Sequence, residues 1–80
     1  MMQLLSLADV HLSAPLALRA KAEIETALAL FATGGVTLQA PEEAYYALPD
    51  GRLRIVFAIS PGFSVVVHGE REEWRRVSVN

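Results

Sequence analysis

The chain has no cysteine, which excludes disulfides and thiolate metal ligands as means of holding its 80 residues together. It has one lysine, Lys21, and a formal net charge of -2, so it has no surplus of cations to meet a phosphate backbone. Nucleic acid is disfavoured as a partner. No run reaches the roughly 18 to 20 apolar residues that span a bilayer, and the opening Met1-Met2-Gln3-Leu4-Leu5-Ser6-Leu7 lacks the basic region of a secretory signal. The expectation is a cytoplasmic protein with no membrane partner. Asparagine occurs once, as Asn80, and alanine is abundant, a bias that a GC-rich bacterial or phage genome produces.

Apolar residues are in surplus. They make up 52 % of the chain, a little above the usual share for soluble domains, while charged residues at 20 % fall a little below it. A chain this short buries only about 60 to 65 % of the surface its unfolded form exposes, so residues 1–80 make a single domain with one core. With disulfides absent, association is a common remaining source of stability for small domains.

The clearest helix runs from Ser13 to Thr33. Ser13 can accept a hydrogen bond from a first-turn amide, Pro15 suits that turn, and Gly34-Gly35 supplies a stop, expected to be left-handed at Gly34. Leu16, Ala20, Ile24, Ala27, Leu28 and Phe31 recur at three- and four-residue spacing and form one stripe, which predicts a helix covering a sheet. Residues 3–12 fit two periods. Ala8, Val10 and Leu12 alternate as a strand does, whereas Leu4, Leu7, Ala8 and Leu12 fit a helix; a strand is the favoured reading.

Beyond the helix, Val36 to Gln39 reads as a short extended segment, Ala40-Pro41-Glu42-Glu43 as a turn and Ala44 to Leu48 as a strand. Pro49-Asp50-Gly51 fits a type I turn with a left-handed glycine, placing Leu48 opposite Arg52 and Tyr46 opposite Arg54. Tyr45 and Tyr46 then face opposite sides of the sheet. The apolar strand Leu53 to Ile59 leads through Pro61-Gly62 into Phe63 to Val67. A simple two-residue loop pairs Ser60 with Phe63 and puts Ser64, Val66 and His68 on the side of Leu53, Ile55, Phe57 and Ile59; a bulge puts Phe63, Val65 and Val67 there instead. Both registers leave apolar side chains on both faces. With the bulge, Val56, Ala58 and Val66 remain on the reverse side, so the central strands require cover on both sides, from the amino-terminal segment or from another protein surface. Gly69 to Glu73 reads as a charged loop and Trp74 to Val79 as a last, edge-like strand.

No arrangement of residues carries a catalytic signature, and the chain is expected not to be an enzyme. His11 and His68 are the only imidazoles and lack a recognised metal spacing; Asp9 and His11 would share a face of a strand. Ser60 and Ser64 flank a plain turn, with no strained nucleophile elbow. Glu42-Glu43 and Glu72-Glu73 diverge if extended, and Gly34-Gly35 follows a helix, so it offers no helix-start amides to a phosphate. No cofactor is implied. Tyr46, Arg52, Arg54, Trp74, Arg75 and Arg76 combine aromatics with guanidinium groups, the composition enriched where proteins bind one another.

The expected architecture is one α+β domain, an antiparallel meander of about four strands with one amphipathic helix packed on it and an extra amino-terminal strand. The expected function is non-enzymatic: a small regulator or inhibitor that binds a partner protein through Tyr46, Arg52, Arg54, Trp74, Arg75 and Arg76. Small phage and mobile-element inhibitors share this size and acidity, without a motif that joins the chain to them. The alternative is a homodimer enclosing a small ligand, with Val56, Ala58 and Val66 at its seam. A toxin-like ribonuclease ranks third, because the acidic balance opposes a basic cleft.

Overall fold

The computed structural model describes residues 1–34 and 40–77. Strand β1 (Gln3–Leu5) is followed by a 3-10 turn at Leu7–Asp9, β2 (Val10–Leu12) and helix α1 (Ala14–Thr33). Strands β3 (Glu42–Ala47), β4 (Leu53–Ser60) and β5 (Phe63–Gly69), a second 3-10 turn at Arg71–Glu73 and β6 (Trp74–Arg76) follow among the described residues. The fold is α+β, with one helix on an antiparallel four-stranded sheet of order β1-β3-β4-β5 and a separate β2·β6 ribbon.

The start of α1 follows its sequence signals. Ser13 Oγ accepts from the Leu16 amide at 3.3 Å, and Pro15 occupies the first turn, where its missing N–H leaves no gap. Leu16, Ala20 and Ala27 are buried, and Ile24, Leu28 and Phe31 are half-buried, as the apolar stripe requires. The stop differs from expectation. Gly34 has φ -89°, outside the left-handed region, and its N–H donates to Phe31 O at 3.1 Å. The last turn tightens to 3-10 spacing, which satisfies a terminal carbonyl without positive φ.

The β3–β4 hairpin forms in the predicted register. Gly51 has φ +89°, its N–H reaches Leu48 O at 3.0 Å, and the Leu48 amide reaches Arg52 O at 2.9 Å. Tyr46 therefore faces Arg54 and Tyr45 faces Ile55. The strand begins earlier than expected, because Glu42 and Glu43 pair with Ala58 and Phe57 and so belong to β3, outside any turn. At the β4–β5 hairpin Ser60 does pair with Phe63, yet Ala58 pairs with Ser64, so Ile59 is the extra residue of a bulge. The bulge puts Val65 and Val67 opposite Phe57 and Ile55, turning all four inward.

The core lies between this inner face and α1. Leu16, Leu53 and Ile55 are fully buried, with Leu5, Ala20, Tyr45, Phe57 and Val67 nearly so. At the far end of the helix Phe31 meets Phe63 edge-on, their ring centroids 4.3 Å apart. Val10, Leu12 and Trp74 pack against the same core, so the ribbon lies on the helix side of the sheet.

The two ends of the chain depart furthest from the sequence reading. Residues 3–12 form neither one strand nor a helix: Ser6 caps a 3-10 turn that separates β1, paired with β3, from β2, paired with β6. The break moves Asp9 into the turn, so it shares no strand face with His11. Within the expected strand Trp74–Val79, only Trp74–Arg76 is a strand among the described residues, and it joins β2 rather than the sheet. The expected segment Val36–Gln39, like Ser78 and Val79, lies outside the described residues.

Candidate functional site

Strand β4 alternates buried and half-buried residues without a break. Leu53, Ile55, Phe57 and Ile59 point to the core, so Arg54, Val56, Ala58 and Ser60 point to the other side. The described elements that pack on the sheet lie on the core side. β1 extends the edge beyond β3; Met2 reaches Arg54 on the back, yet Val66 there stays exposed, so the amino-terminal segment does not close this face.

The open face is organised in cross-strand rows. Leu4, Tyr46, Arg54 and His68 form one row, Ala44, Val56 and Val66 the next, and Glu42, Ala58 and Ser64 the third. Its middle is apolar and its flanks are polar. Val66 is 38 % exposed and Leu4 64 %. Arg54 Nη1 lies 3.7 Å from Met2 Sδ, while its Nε is buried without a hydrogen-bond partner among the described residues.

Of the residues singled out in sequence, Tyr46 and Arg54 come together on this face, with Val56, Ala58 and Val66 beside them. The others lie elsewhere. Arg52 folds back on its own turn, with Nε 2.7 Å from Asp50 Oδ2 and its amide 3.0 Å from Asp50 Oδ1. That carboxyl is held below its ordinary value, first by the Arg52 amide and then by the guanidinium. Trp74 is half-buried against the core, and its indole N–H donates to Gly51 O at 2.9 Å. Arg75 stands opposite His11 in the ribbon, and Arg76 Nη1 donates to Gln3 Oε1 at 3.2 Å.

Sequence reasoning missed Arg19, which holds the helix to the strand and loop below it. Its guanidinium forks onto both Glu73 carboxylate oxygens at 3.0 Å and also donates to His68 O at 2.8 Å. Glu73 Oε1 accepts as well from the Glu70 amide at 2.9 Å, closing a capping box on the 3-10 turn. Arg19 first, and the Glu70 amide second, hold the Glu73 carboxyl below its ordinary value. An isolated Arg19 in a helix pattern gives no sign of a carboxylate so distant in sequence.

A concavity of about 290 Å³ opens between α1 and β3 and is lined by Leu12, Ala20, Ile24, Tyr45 and Phe57, with Lys21 and Glu43. The Tyr45 hydroxyl donates to Glu43 Oε2 at 2.9 Å. Burial, then this carboxylate, push the phenol up to about 12, so it keeps its proton at neutral pH and is neither nucleophile nor base there. Among the described residues no three His, Asp or Glu side chains converge on a metal position, and no helix is long and apolar enough to cross a membrane.

Comparison with protein-family models, curated proteins and solved structures finds no match to this chain. The geometry of the open face and its edges therefore carries the functional argument.

Proposed function

We propose that the protein is a non-enzymatic binding module that recognises a partner protein through the open face of its sheet. One observation carries the proposal: the face opposite α1 presents the contiguous apolar set Leu4, Ala44, Val56, Ala58 and Val66 beside Tyr46 and Arg54. Tyrosine and arginine set among apolar residues are favoured where binding energy concentrates, because each covers much area and also offers a directed hydrogen bond. The matching surface is apolar at its centre and carries a carboxylate opposite Arg54. Arg52 and Trp74 support the fold in this reading, and contact falls to Tyr46, Arg54, Val56 and their neighbours.

Affinity capture from the organism that encodes the chain, run in parallel with Val56→Lys, tests the proposal. Val56 points away from the core, so the substitution leaves the inner packing intact. The expected result is one protein held in fixed stoichiometry by the native chain and lost with Val56→Lys, while urea midpoint and circular dichroism stay unchanged. Recovery of the bait alone, or equal recovery with both baits, overturns it.

A further inference from the structure

Two observations fix which backbone groups of β5 face outward. The Leu48 amide bonds Arg52 O across the β3–β4 turn, and antiparallel pairs alternate between bonded and non-bonded. With the pairings of β3, β4 and β5, this alternation aims the N–H and C=O of Arg54, Val56 and Ala58 at β3 and those of Leu53, Ile55 and Phe57 at β5. Val65, Val67 and Gly69 return those bonds, so Ser64, Val66 and His68 turn their backbone groups to an edge that no described strand pairs with. Arg19 confirms the parity independently by reaching His68 O from outside the sheet.

The strand at this edge itself carries none of the charged or proline residues that usually deter pairing. β1, at the other side of the sheet, is three residues long, whereas β5 runs for seven. From Phe63 to Gly69 it carries no lysine, arginine, carboxylate or proline. Ser64 and Val66 are exposed, and a groove bounded by Arg19, Glu23, Val66, Val67 and His68 separates the strand from α1.

We infer that this edge pairs with β5 of a second copy of the chain, antiparallel, about a two-fold axis through Val66. The strand is complementary to itself in that register. Val66 meets Val66 of the other copy, and Ser64 meets His68 in both directions, so apolar faces apolar and hydroxyl faces imidazole. All three outward residues find partners, and a carbonyl has a second lone pair, so His68 O can keep Arg19 while accepting the Ser64 amide. Two four-stranded sheets become one, and the open faces join across the Val56 and Val66 row. Arg19 sits by His68 and Phe31 by Phe63, so α1 runs opposite to β5 and Glu23 lies nearest the axis. The two Glu23 carboxylates then face one another, and Glu23→Gln is expected to tighten the pair.

The inference concerns the edge and stands or falls apart from the partner-binding proposal, because pairing leaves Tyr46, Arg54 and Val56 open. The experiment uses the full chain and exploits its lack of cysteine. In the proposed register the Val66 α-carbons of the two copies stand about 5.5 Å apart, within the range of about 4.4 to 6.8 Å that a disulfide bridges. The two Ser64 positions are offset by four residues, roughly 13 Å. Oxidised Val66→Cys is expected to run as a covalent dimer, and Ser64→Cys as a monomer. By sedimentation the native chain is expected to shift from one to two copies with rising concentration. Val66→Pro removes only an outward N–H and a φ range, so it is expected to stay monomeric. Val66→Lys provides the same readout if the proline variant does not fold. A native chain monomeric at high micromolar concentration, or equal cross-linking at both cysteine positions, overturns the inference.

Discussion

Substituting Gly69 with alanine would place a Cβ 2.6 Å from Leu16 Cδ2 and 3.4 Å from Cδ1. Carbon atoms rest about 3.5 to 4.0 Å apart, so something must move by roughly 1 Å. Leu16 is fully buried where α1 meets β4 and β5, and it has little room to turn. Overpacking of this size costs about 1 to 3 kcal/mol, which lowers the melting temperature of a domain this small by roughly 4 to 8 °C per kcal/mol. The sign is diagnostic. Gly69 is not among the positive-φ glycines, so without a clash alanine would stabilise by about 0.4 to 1 kcal/mol through the unfolded chain. Leu16→Ala alone should cost about 2 to 5 kcal/mol. In the double variant the new methyl enters the space vacated by leucine, so the combined loss should fall short of the sum by about 1 kcal/mol or more. Urea unfolding of the four proteins, followed by Trp74 fluorescence, measures the cycle. A stabilised Gly69→Ala, or losses additive within about 0.5 kcal/mol, would refute the reasoning.

Two further outcomes follow from titrating groups. The fold lowers the Glu73 carboxyl below its ordinary 4.5, so its contribution is complete above that pH and lost as acidity passes through the lowered value. Glu73→Gln should therefore lower the urea midpoint near neutrality, and the gap to the native chain should narrow as the pH falls below the ordinary carboxylate value; an equal gap at both ends would contradict this. Tyr45 is shifted the other way, up to about 12, so its contribution is complete below the ordinary value of 10.0 and lost as pH rises toward 12. An absorbance titration should show a late phenolate component that Tyr45→Phe removes.

Signals confined to a few neighbouring residues were legible in the sequence. Pro49-Asp50-Gly51 determined both the turn and the register behind it, so Tyr46 met Arg54 as expected. Ser13 and the apolar stripe located α1 for the same reason. The bulge at Ile59 was not legible, because either register of the Pro61-Gly62 hairpin leaves apolar side chains on both faces and hydropathy does not choose between them. The contacts of Trp74 depend on Gly51, a residue from a distant turn, and its aromatic character suits an interface as well as a core. The β5 edge had a sequence signal in its missing charge, but the outward direction of Ser64, Val66 and His68 needed the ladder parity.

The β2·β6 ribbon joins two segments that lie far apart in sequence. Ser13 N–H reaches Glu73 O and Val77 N–H reaches Asp9 O, both at 2.7 Å, so the helix start is tied to residues that follow both hairpins. Bringing Leu12 to Trp74 closes a loop that holds the helix and both hairpins, and the entropy cost of closure rises with loop length, though slowly. During synthesis Val10 and Leu12 have no strand partner until Trp74 to Arg76 leave the ribosome. The clasp can shut only after the helix and both hairpins have been made, with those hairpins already available as its seat.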